Sequence, residues 1–236
     1  MKNKVSVVLP TFNEAENIEA LIRGIYRHTG KDLFEIIVVD DDSPDKTSEI
    51  IKGLQKEIEC LKLIVRKRKR GLPSAVWRGI KEAEGDVIVW LDCDLSHPPD
   101  VIPRLLGHIK DYDVVCASRY AEGGKDTRSV IRVATSKIIN LTAQKILGLK
   151  IKDLTSGFYA VRKKVFSKVK LMQTGFAEYL IRFSYDVEKN GFSVLEIGYV
   201  SPDRERGTSK SERSPTKFLH DGYRCWKEII KLGLGK

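Results

Sequence analysis

No stretch of this chain is long and apolar enough to cross a bilayer. The longest run without a charged residue goes only from Val5 to Asn13, well short of the roughly 20 apolar residues that a spanning helix needs. Lys2 and Lys4 imitate the start of a secretion signal, but Pro10 and Glu14 break the run behind them, so the sequence predicts a cytoplasmic protein. Cysteine is scarce. The four, at 60, 93, 116 and 225, form no CxxC pair and have no histidine at metal spacing, which argues for reduced, structural thiols over a disulfide frame or a zinc site. With 8 prolines and 18 glycines the chain is neither collagen-like nor of low complexity. It contains no GxGxxG and no GxxxxGK[ST], so neither a dinucleotide fingerprint nor a P-loop is supported. It also has no internal repeat.

What is present describes one globular domain over residues 1–236, with 42% hydrophobic and 31% charged residues. The net charge of +10 is unevenly spread. Residues 1–120 hold 19 Lys/Arg against 20 Asp/Glu, and residues 121–236 hold 23 against 12. A basic half beside a neutral half suits a polyanionic partner: nucleic acid, an anionic membrane or a phosphorylated substrate.

Short β-branched runs at 4–9, 35–40, 61–66, 86–91 and 113–118 read as buried strands. Helical patterns fall between them, over Glu14–His28, Asp45–Ile58, Leu72–Ala83 and Pro99–Lys110. This alternation predicts a Rossmann-like α/β fold, a mostly parallel sheet with helices on both faces and ligands at the strand C-termini. Beyond it come a long helix over Val130–Leu147, a strand in 156–162, a helix over Phe176–Lys189, a strand over Ser193–Val200, a polar loop over 201–215 and a last amphipathic helix at about 216–232.

Three acidic or polar clusters fall where predicted strands end: Pro10–Glu14, Asp40–Asp45 and Asp92–Asp94. Each alone fits helix capping. Together at one sheet edge they repel one another unless a cation is present, and hard cations such as Mg²⁺ take oxygen ligands, including those of a diphosphate. A metal–nucleotide site follows, with the nucleotide held by side chains and metal.

PTFNE, VVDDDSPD, a DxD followed by LSHPP, the SRY at 118–120, TSGFYAVR and Arg204-Glu-Arg-Gly-Thr-Ser-Lys210 occur in this order along nearly the whole chain. In these motifs the sequence resembles the dolichol-phosphate (polyprenyl-phosphate) mannosyltransferases, inverting enzymes of glycosyltransferase family 2 with the GT-A fold. The resemblance implies transfer of mannose from GDP-mannose to dolichyl or another polyprenyl phosphate, giving a β-linked mannosyl phosphate. It implies that Pro10, Phe12, Glu14, Val39 and Asp41 hold the guanosine. Asp92 and Asp94 approach the diphosphate through Mg²⁺ or Mn²⁺, with Ser96 a further ligand where some relatives carry Gln. Cys93 stands between the two acids as a small packing residue in the donor site. Arg204 and Lys210, in the polar loop, close over the diphosphate. Arg119 with Arg132 and Ser136, the latter two one helical turn apart, correspond to the acceptor-phosphate site, and Asp94, Arg119 and Arg132 are the implied catalytic residues.

The chemistry of these residues agrees with the resemblance. Carboxylates accept from a guanine edge and a ribose diol, Gly207 permits a tight bend that lets two cations meet one pyrophosphate, and the planar arginine fork pairs with a phosphate. Rival readings are a UDP-sugar enzyme acting on polyprenyl phosphate and a basic nucleic-acid-binding protein. The second leaves the acidic clusters unexplained, so no nucleic-acid partner is expected. The run Arg66–Arg70 reads as a solvated loop, with Arg70 near the nucleotide. On the last helix Phe218, Leu219, Tyr223, Trp226 and Ile230 recur at helical spacing, and Lys217, Arg224, Lys227 and Lys231 form a basic face. This predicts peripheral attachment to an anionic membrane surface, on its cytoplasmic face, through that helix and Val130–Leu147. The alternative carrier is a separate membrane-protein partner.

Overall fold

The computed structural model describes residues 4–68, 70–202 and 215–235, and for Pro215, Lys217 and Phe218 the backbone alone. Seven strands form one sheet: β1 (Val5–Thr11), β2 (Leu33–Asp40), β3 (Leu61–Val65), β4 (Val87–Trp90), β5 (Val114–Ser118), β7 (Tyr159–Arg162) and β8 (Val194–Gly198). Their order is β3-β2-β1-β4-β7-β5-β8. All run parallel except β7, which lies antiparallel between β4 and β5. A second, two-stranded parallel ribbon pairs β6 (Lys125–Asp126) with β9 (Val200–Ser201). The helices are α1 (Ile18–Thr29), α2 (Thr47–Leu54), α3 (Leu72–Glu82), α4 (Ile102–His108), α5 (Val130–Leu147), α6 (Glu178–Lys189) and α7 (Pro215–Gly233).

The strands read as continuous apolar runs because the sheet is covered on both faces. Along β1, Val5, Val7 and Leu9 pack with α1, α2 and α4 on one side, while Val8 packs with α3 and α6 on the other. Each such side chain contributes about 1.5–3 kcal/mol on full burial, so a register slip that exchanged the two faces would be costly. A third cluster joins α5, α6 and α7 through Ile139, Ala143, Ile181, Cys225 and Ile229. Helices α5 and α7 therefore pack together with α6, one layer out from the sheet.

Several element ends differ from the periodicity. Helix α1 starts at Ile18 and not at Glu14, because Asn13 takes a left-handed conformation (φ 55°) and a turn closed by Asn17 N–H to Glu14 C=O precedes the helix. The segment 99–110 divides into a 3₁₀ turn, Pro99–Val101, and α4, with Pro103 in its first turn. Strand β8 stops at Gly198. No helix among the described residues is long and apolar enough to cross a membrane. Of the polar loop expected over 201–215, residues 203–214, with Arg204 and Lys210, lie outside the described residues.

Candidate active site

Strands β2, β1 and β4 are parallel neighbours, so their C-terminal loops open side by side and bring the three clusters to one edge. Among the described residues, every non-glycine with positive φ lies in these loops: Asn13, Asp42, Lys46 and Leu95. Such backbone costs roughly 1–2 kcal/mol per residue and persists where surrounding bonds hold it. In the β1 and β2 loops Asp40 and Asp45 do the holding. Asp40, fully buried, accepts from Ser43 N–H (3.1 Å) and from the Ser43 and Ser48 hydroxyls. Asp45 accepts from Ala15 N–H at 3.0 Å and from Thr47. Burial alone would push the Asp45 carboxyl up, but these donors outweigh it and hold it below the usual range. Asp45 thus fastens the β2 loop to the β1 loop, and Asp40 folds the β2 loop on itself.

The loops enclose a cavity of 440 Å³ lined by Pro10, Phe12, Glu14, Asp41, Cys93 and the two acids of the DxD, among others. Glu14, 7% exposed, accepts from Asn17 Nδ2 at 3.1 Å. The Cys93 thiol is buried and donates to Pro10 C=O at 3.3 Å, a packing role that ties β4 to β1. Asp41 is already engaged by the protein: Arg66 reaches it through Nε (2.7 Å) and Nη2, and Gly71 N–H donates to its second oxygen at 2.7 Å. Arg66 is 9% exposed and its Nη1 also donates to Ser74 Oγ at 2.9 Å. The basic run is therefore not wholly a solvated loop, because its first arginine turns inward as the counter-ion of Asp41. Arg70 lies over the Phe12 ring, 5.7 Å from its centre, and pairs with Asp42 at 3.4 Å. Val39 departs from expectation. Its side chain is fully buried in the core beneath α3 and is not part of the cavity wall.

Asp92 and Asp94 follow β4. Asp92 N–H donates to His97 Nδ1 at 3.0 Å, so the imidazole acts as an acceptor at that nitrogen. Burial is the main cause that pushes the His97 pKa down to about 4, which keeps the ring neutral near neutrality. His97 stacks on Phe158 at 5.3 Å. The Asp94 carboxylate accepts from Ser96 N–H (3.0 Å) and Ser96 Oγ (2.5 Å) at the same oxygen, so Ser96 orients Asp94 and its hydroxyl proton is committed there. Facing Asp92 is Gly157, at φ 146°, where a Cβ would sit 3.3 Å from the His97 ring and 3.7 Å from Asp92 Oδ2. The glycine leaves space in front of the carboxylate. No group of three or more His, Cys, Asp or Glu among the described residues is arranged to hold a metal ion. Two carboxylates with open space before them fit Mg²⁺ or Mn²⁺, hard ions that complete their shells with substrate phosphate oxygens and water. The residues present therefore fit such an ion bound together with a diphosphate.

A second cavity of 240 Å³ shares Leu72, Asp92, Asp94 and Phe176 with the first and extends from them towards α5 and α7. Arg119, Arg132 and Ser136 all line it, as do Arg128 and Thr155. Arg119 leaves β5 and is 7% exposed, with its fork placed on Asp153 by bonds of 2.8 and 2.6 Å and a further bond to Thr155. Burial opposes its charge, but the Asp153 carboxylate outweighs this and holds the proton more firmly than usual. The Nε–Nη2 edge is thus committed to Asp153, while Nη1 lies 3.7 Å from Asp126, and Arg119 lines the wall and fixes the 153–155 loop. Arg128 is held in the same way by Asp126, at 2.8 and 2.6 Å. Burial raises the Asp126 carboxyl, yet Arg128 and Arg119 bring it down to about 2. Arg132 and Ser136 are half-buried on the inner face of α5.

Sequence reasoning assigned no role to His97, Arg66, Arg128, Asp153, Gly157 or Phe176. His97 stood in the quoted LSHPP motif, and Arg128 lies four positions before Arg132, just ahead of α5. Gly157 stood in the quoted TSGFYAVR and Arg66 opens the basic run, while Asp153 and Phe176 carry no local signal.

On the last helix the apolar residues point outwards: Leu219, Tyr223 and Ile230 are more than half exposed and Trp226 is 36% exposed, while Cys225, Ile229 and Leu232 pack inwards. Arg224 is not one of the solvated cations, since its Nε lies 2.6 Å from the buried Glu178 of α6.

The family model for glycosyl transferase family 2 matches residues 6–170. The chain is 41% identical over 234 residues to a dolichol-phosphate mannosyltransferase of Pyrococcus furiosus, which covers 95% of this chain and 64% of that protein. It is 32% identical over 216 residues to a polyprenol monophosphomannose synthase of Mycolicibacterium smegmatis, covering 88% of this chain and 81% of that protein. It thus spans just under two thirds of the length of the Pyrococcus relative. Among solved structures, a glucosyl-3-phosphoglycerate synthase from Mycobacterium tuberculosis in complex with UDP superimposes with a TM-score of 0.77 over 98% of this chain and 80% of that one. At 19% identity it establishes the likeness of fold, a GT-A-like arrangement with a mostly parallel sheet. With a family match from β1 to beyond β7, and a relative of similar extent at 32% identity, the chain belongs to glycosyl transferase family 2.

Proposed function

We propose that this chain, as one GT-A catalytic domain, transfers mannose from GDP-mannose to the phosphate of dolichol or another polyprenol, with inversion at the anomeric carbon. The observation that carries this reading is that two cavities of opposite character meet at Asp92 and Asp94. The first offers carboxylates and an aromatic ring to a nucleoside. The second offers arginines and a hydroxyl to an anion. A sugar between a diphosphate on one side and a phosphate on the other would occupy their junction. The relatives named as acting on dolichol or polyprenol phosphate favour this pair of ligands over other donors and acceptors.

In the mechanism, Phe12, Glu14 and the main chain near Pro10 and Val39 hold the guanosine, with Asp41 and Arg66 shaping the cavity floor. Asp92 and Asp94 hold Mg²⁺ or Mn²⁺, which when bound supplies charge to the diphosphate oxygens as the leaving group departs. Ser96 orients Asp94. Arg204 and Lys210 meet the same diphosphate and stabilise the negative charge of the departing GDP. Arg132 and Ser136 place the acceptor phosphate, with Arg119 and Arg128 behind them. A phosphate is already ionised near neutral pH, so no strong general base is needed, and the site's work is placement and charge stabilisation. A phosphate oxygen forms a bond to the anomeric carbon on the side opposite GDP as the bond from that carbon to the β-phosphate oxygen breaks. The test is consumption of a panel of GDP- and UDP-sugars offered with polyprenyl phosphate and Mg²⁺ or Mn²⁺. GDP-mannose consumed with formation of a β-mannosyl phosphate is the expected result, and consumption of a UDP-sugar instead overturns the donor assignment.

The same geometry bears on location. Helix α5 exposes Val130, Ile131, Ile138 and Leu141 while its inner face lines the second cavity, and α7 exposes Leu219, Tyr223 and Ile230 while Asp221 and Cys225 line it. We propose peripheral attachment through these outer faces to the cytoplasmic side of an anionic membrane, with Lys145, Lys227 and Lys231 contributing about 1 kcal/mol each near the surface. Co-sedimentation with liposomes should rise with anionic lipid and fall with salt. Equal binding to neutral and anionic liposomes would point instead to a membrane-protein partner.

A further inference from the structure

We propose that Phe176 is the platform on which the transferred sugar lies, held at the junction of the two cavities by Gly175, Glu178 and the α7 residue Arg224. The inference rests on the two-cavity reading above. Four residues belong to both cavity walls, Leu72, Asp92, Asp94 and Phe176, and only Phe176 offers a ring. A group that leaves a diphosphate on one side and arrives at a phosphate on the other must cross this junction. A pyranose presents hydroxyls around its rim and C–H groups on its faces. Carboxylates suit the rim, and the negative face of an aromatic ring suits the weakly positive C–H groups while displacing water from them.

The position of the ring is fixed by the chain behind it. Gly175 has φ 107°, and a Cβ there would fall 2.6 Å from Glu178 Oε1, so a side chain at 175 would be both strained and obstructed. Glu178 is 3% exposed. Its Oε2 accepts from Phe176 N–H at 2.8 Å, and its Oε1 lies 2.6 Å from Arg224 Nε. A buried carboxylate therefore grips the main chain of Phe176, and the C-terminal helix grips the carboxylate. The ring itself stays 38% exposed, leaving a face for a ligand. Glu178 and Arg224 are positioning residues that do not touch the sugar. Through them α7, whose outer face carries the exposed apolar residues, is joined to the place where the bond is exchanged.

The experiment compares equilibrium binding of GDP and of GDP-mannose to the full chain and to its Phe176→Ala and Phe176→Tyr variants, together with transfer kinetics. Phe176→Ala is expected to weaken GDP-mannose about threefold to tenfold, the range of an aromatic contact, and to lower kcat/KM at least as much, while GDP affinity and Tm stay near wild type. Tyr should restore both. Arg224→Ala should give part of the loss with the phenylalanine still present. Equal weakening of GDP and GDP-mannose would mean that Phe176 only shapes the nucleotide cavity and would overturn the proposal, as would no change in either. If the wild-type chain consumes a UDP-sugar instead, the donor assignment falls. The same comparison with UDP and that UDP-sugar then still decides the role of Phe176.

Discussion

The two cavities are built as mirror images in charge. The first is acidic, and a buried arginine, Arg66, supports its Asp41. Beyond the carboxylates it shares with the first, the second is lined by Arg119, Arg128 and Arg132 against one acid, Asp221, and two shielded acids, Asp153 and Asp126, support Arg119 and Arg128. In both, an ion of the opposite sign sits behind the wall and fixes the direction of the charge that lines it. Each wall also carries charge of its own sign facing the cavity: Asp92 and Asp94, which the second cavity shares, on one side, and Arg132 with the Ser136 hydroxyl on the other. The difference lies in assembly. The first cavity is made from loops that directly follow adjacent strands, whereas the second gathers β5, α5, the 153–157 loop and α7. Charged residues near a site therefore divide into those that face the ligand and those that hold them, and the motif alone does not say which is which.

The sharpest way to break this symmetry is to remove the counter-ions. Taking one partner from a buried pair leaves an uncompensated charge and costs about 3–5 kcal/mol. Asp153→Ala leaves Arg119 only the more distant Asp126, at 3.7 Å, and Arg66→Ala strands Asp41, so both variants should show a large fall in stability by denaturant unfolding. If Asp153→Ala is nearly neutral, Arg119 is better solvated than its 7% exposure indicates, and the mirror arrangement fails on the basic side.

How far the sequence disclosed these arrangements depended on the distance between partners. The acid-tipped strands were legible because a strand buried on both faces is a continuous apolar run, and its end is marked by the first charge. The insertion of β7 antiparallel between β4 and β5 was not, since it depends on pairings such as Val89 with Ala160 that no local pattern encodes. The partners of three charges were missed for the same reason. Arg66 looked solvated because its neighbours are cations, yet Asp41 lies 25 positions earlier. Arg119 looked open to phosphate, yet Asp153 lies 34 positions later. Arg224 fell on a basic helical face by period, yet Glu178 of α6 takes it up. Val39 was placed by analogy in the nucleotide site, but strand alternation directs its side chain into the core. Where the partner is near in sequence, as Ser96 is to Asp94, the local pattern sufficed.

The acidic cavity should fail through chemistry and not through folding when its ligand-facing charge is removed. Asp94→Asn keeps the shape and can still accept from Ser96, but it lacks the charge that would hold a divalent ion against the diphosphate. We expect transfer to fall by about 10²–10³-fold, the range for loss of one key electrostatic contact at a reacting group, with the unfolding midpoint little changed. Full activity in excess chelator, or in this variant, would remove the metal from the reading and leave the acids as hydrogen-bond acceptors.

On the basic side the corresponding residue is Arg132, and the expected loss is smaller and of a different kind. Hydrogen bonds to charged groups contribute about 1.5–3 kcal/mol, so Arg132→Ala should raise KM for polyprenyl phosphate by about tenfold or somewhat more. The neighbouring arginines are poor substitutes: the fork of Arg119 is bound to Asp153 and that of Arg128 to Asp126. Turning either towards a ligand would break a shielded pair. Arg132→Lys keeps the charge but not the planar fork, so it should recover only part of the loss. Donor affinity measured without acceptor should be unaffected by either change, because Arg132 lines the second cavity and not the first. If GDP-mannose binding weakens as much as acceptor use, Arg132 serves the diphosphate, and the division of the junction into a donor side and an acceptor side has to be redrawn around it.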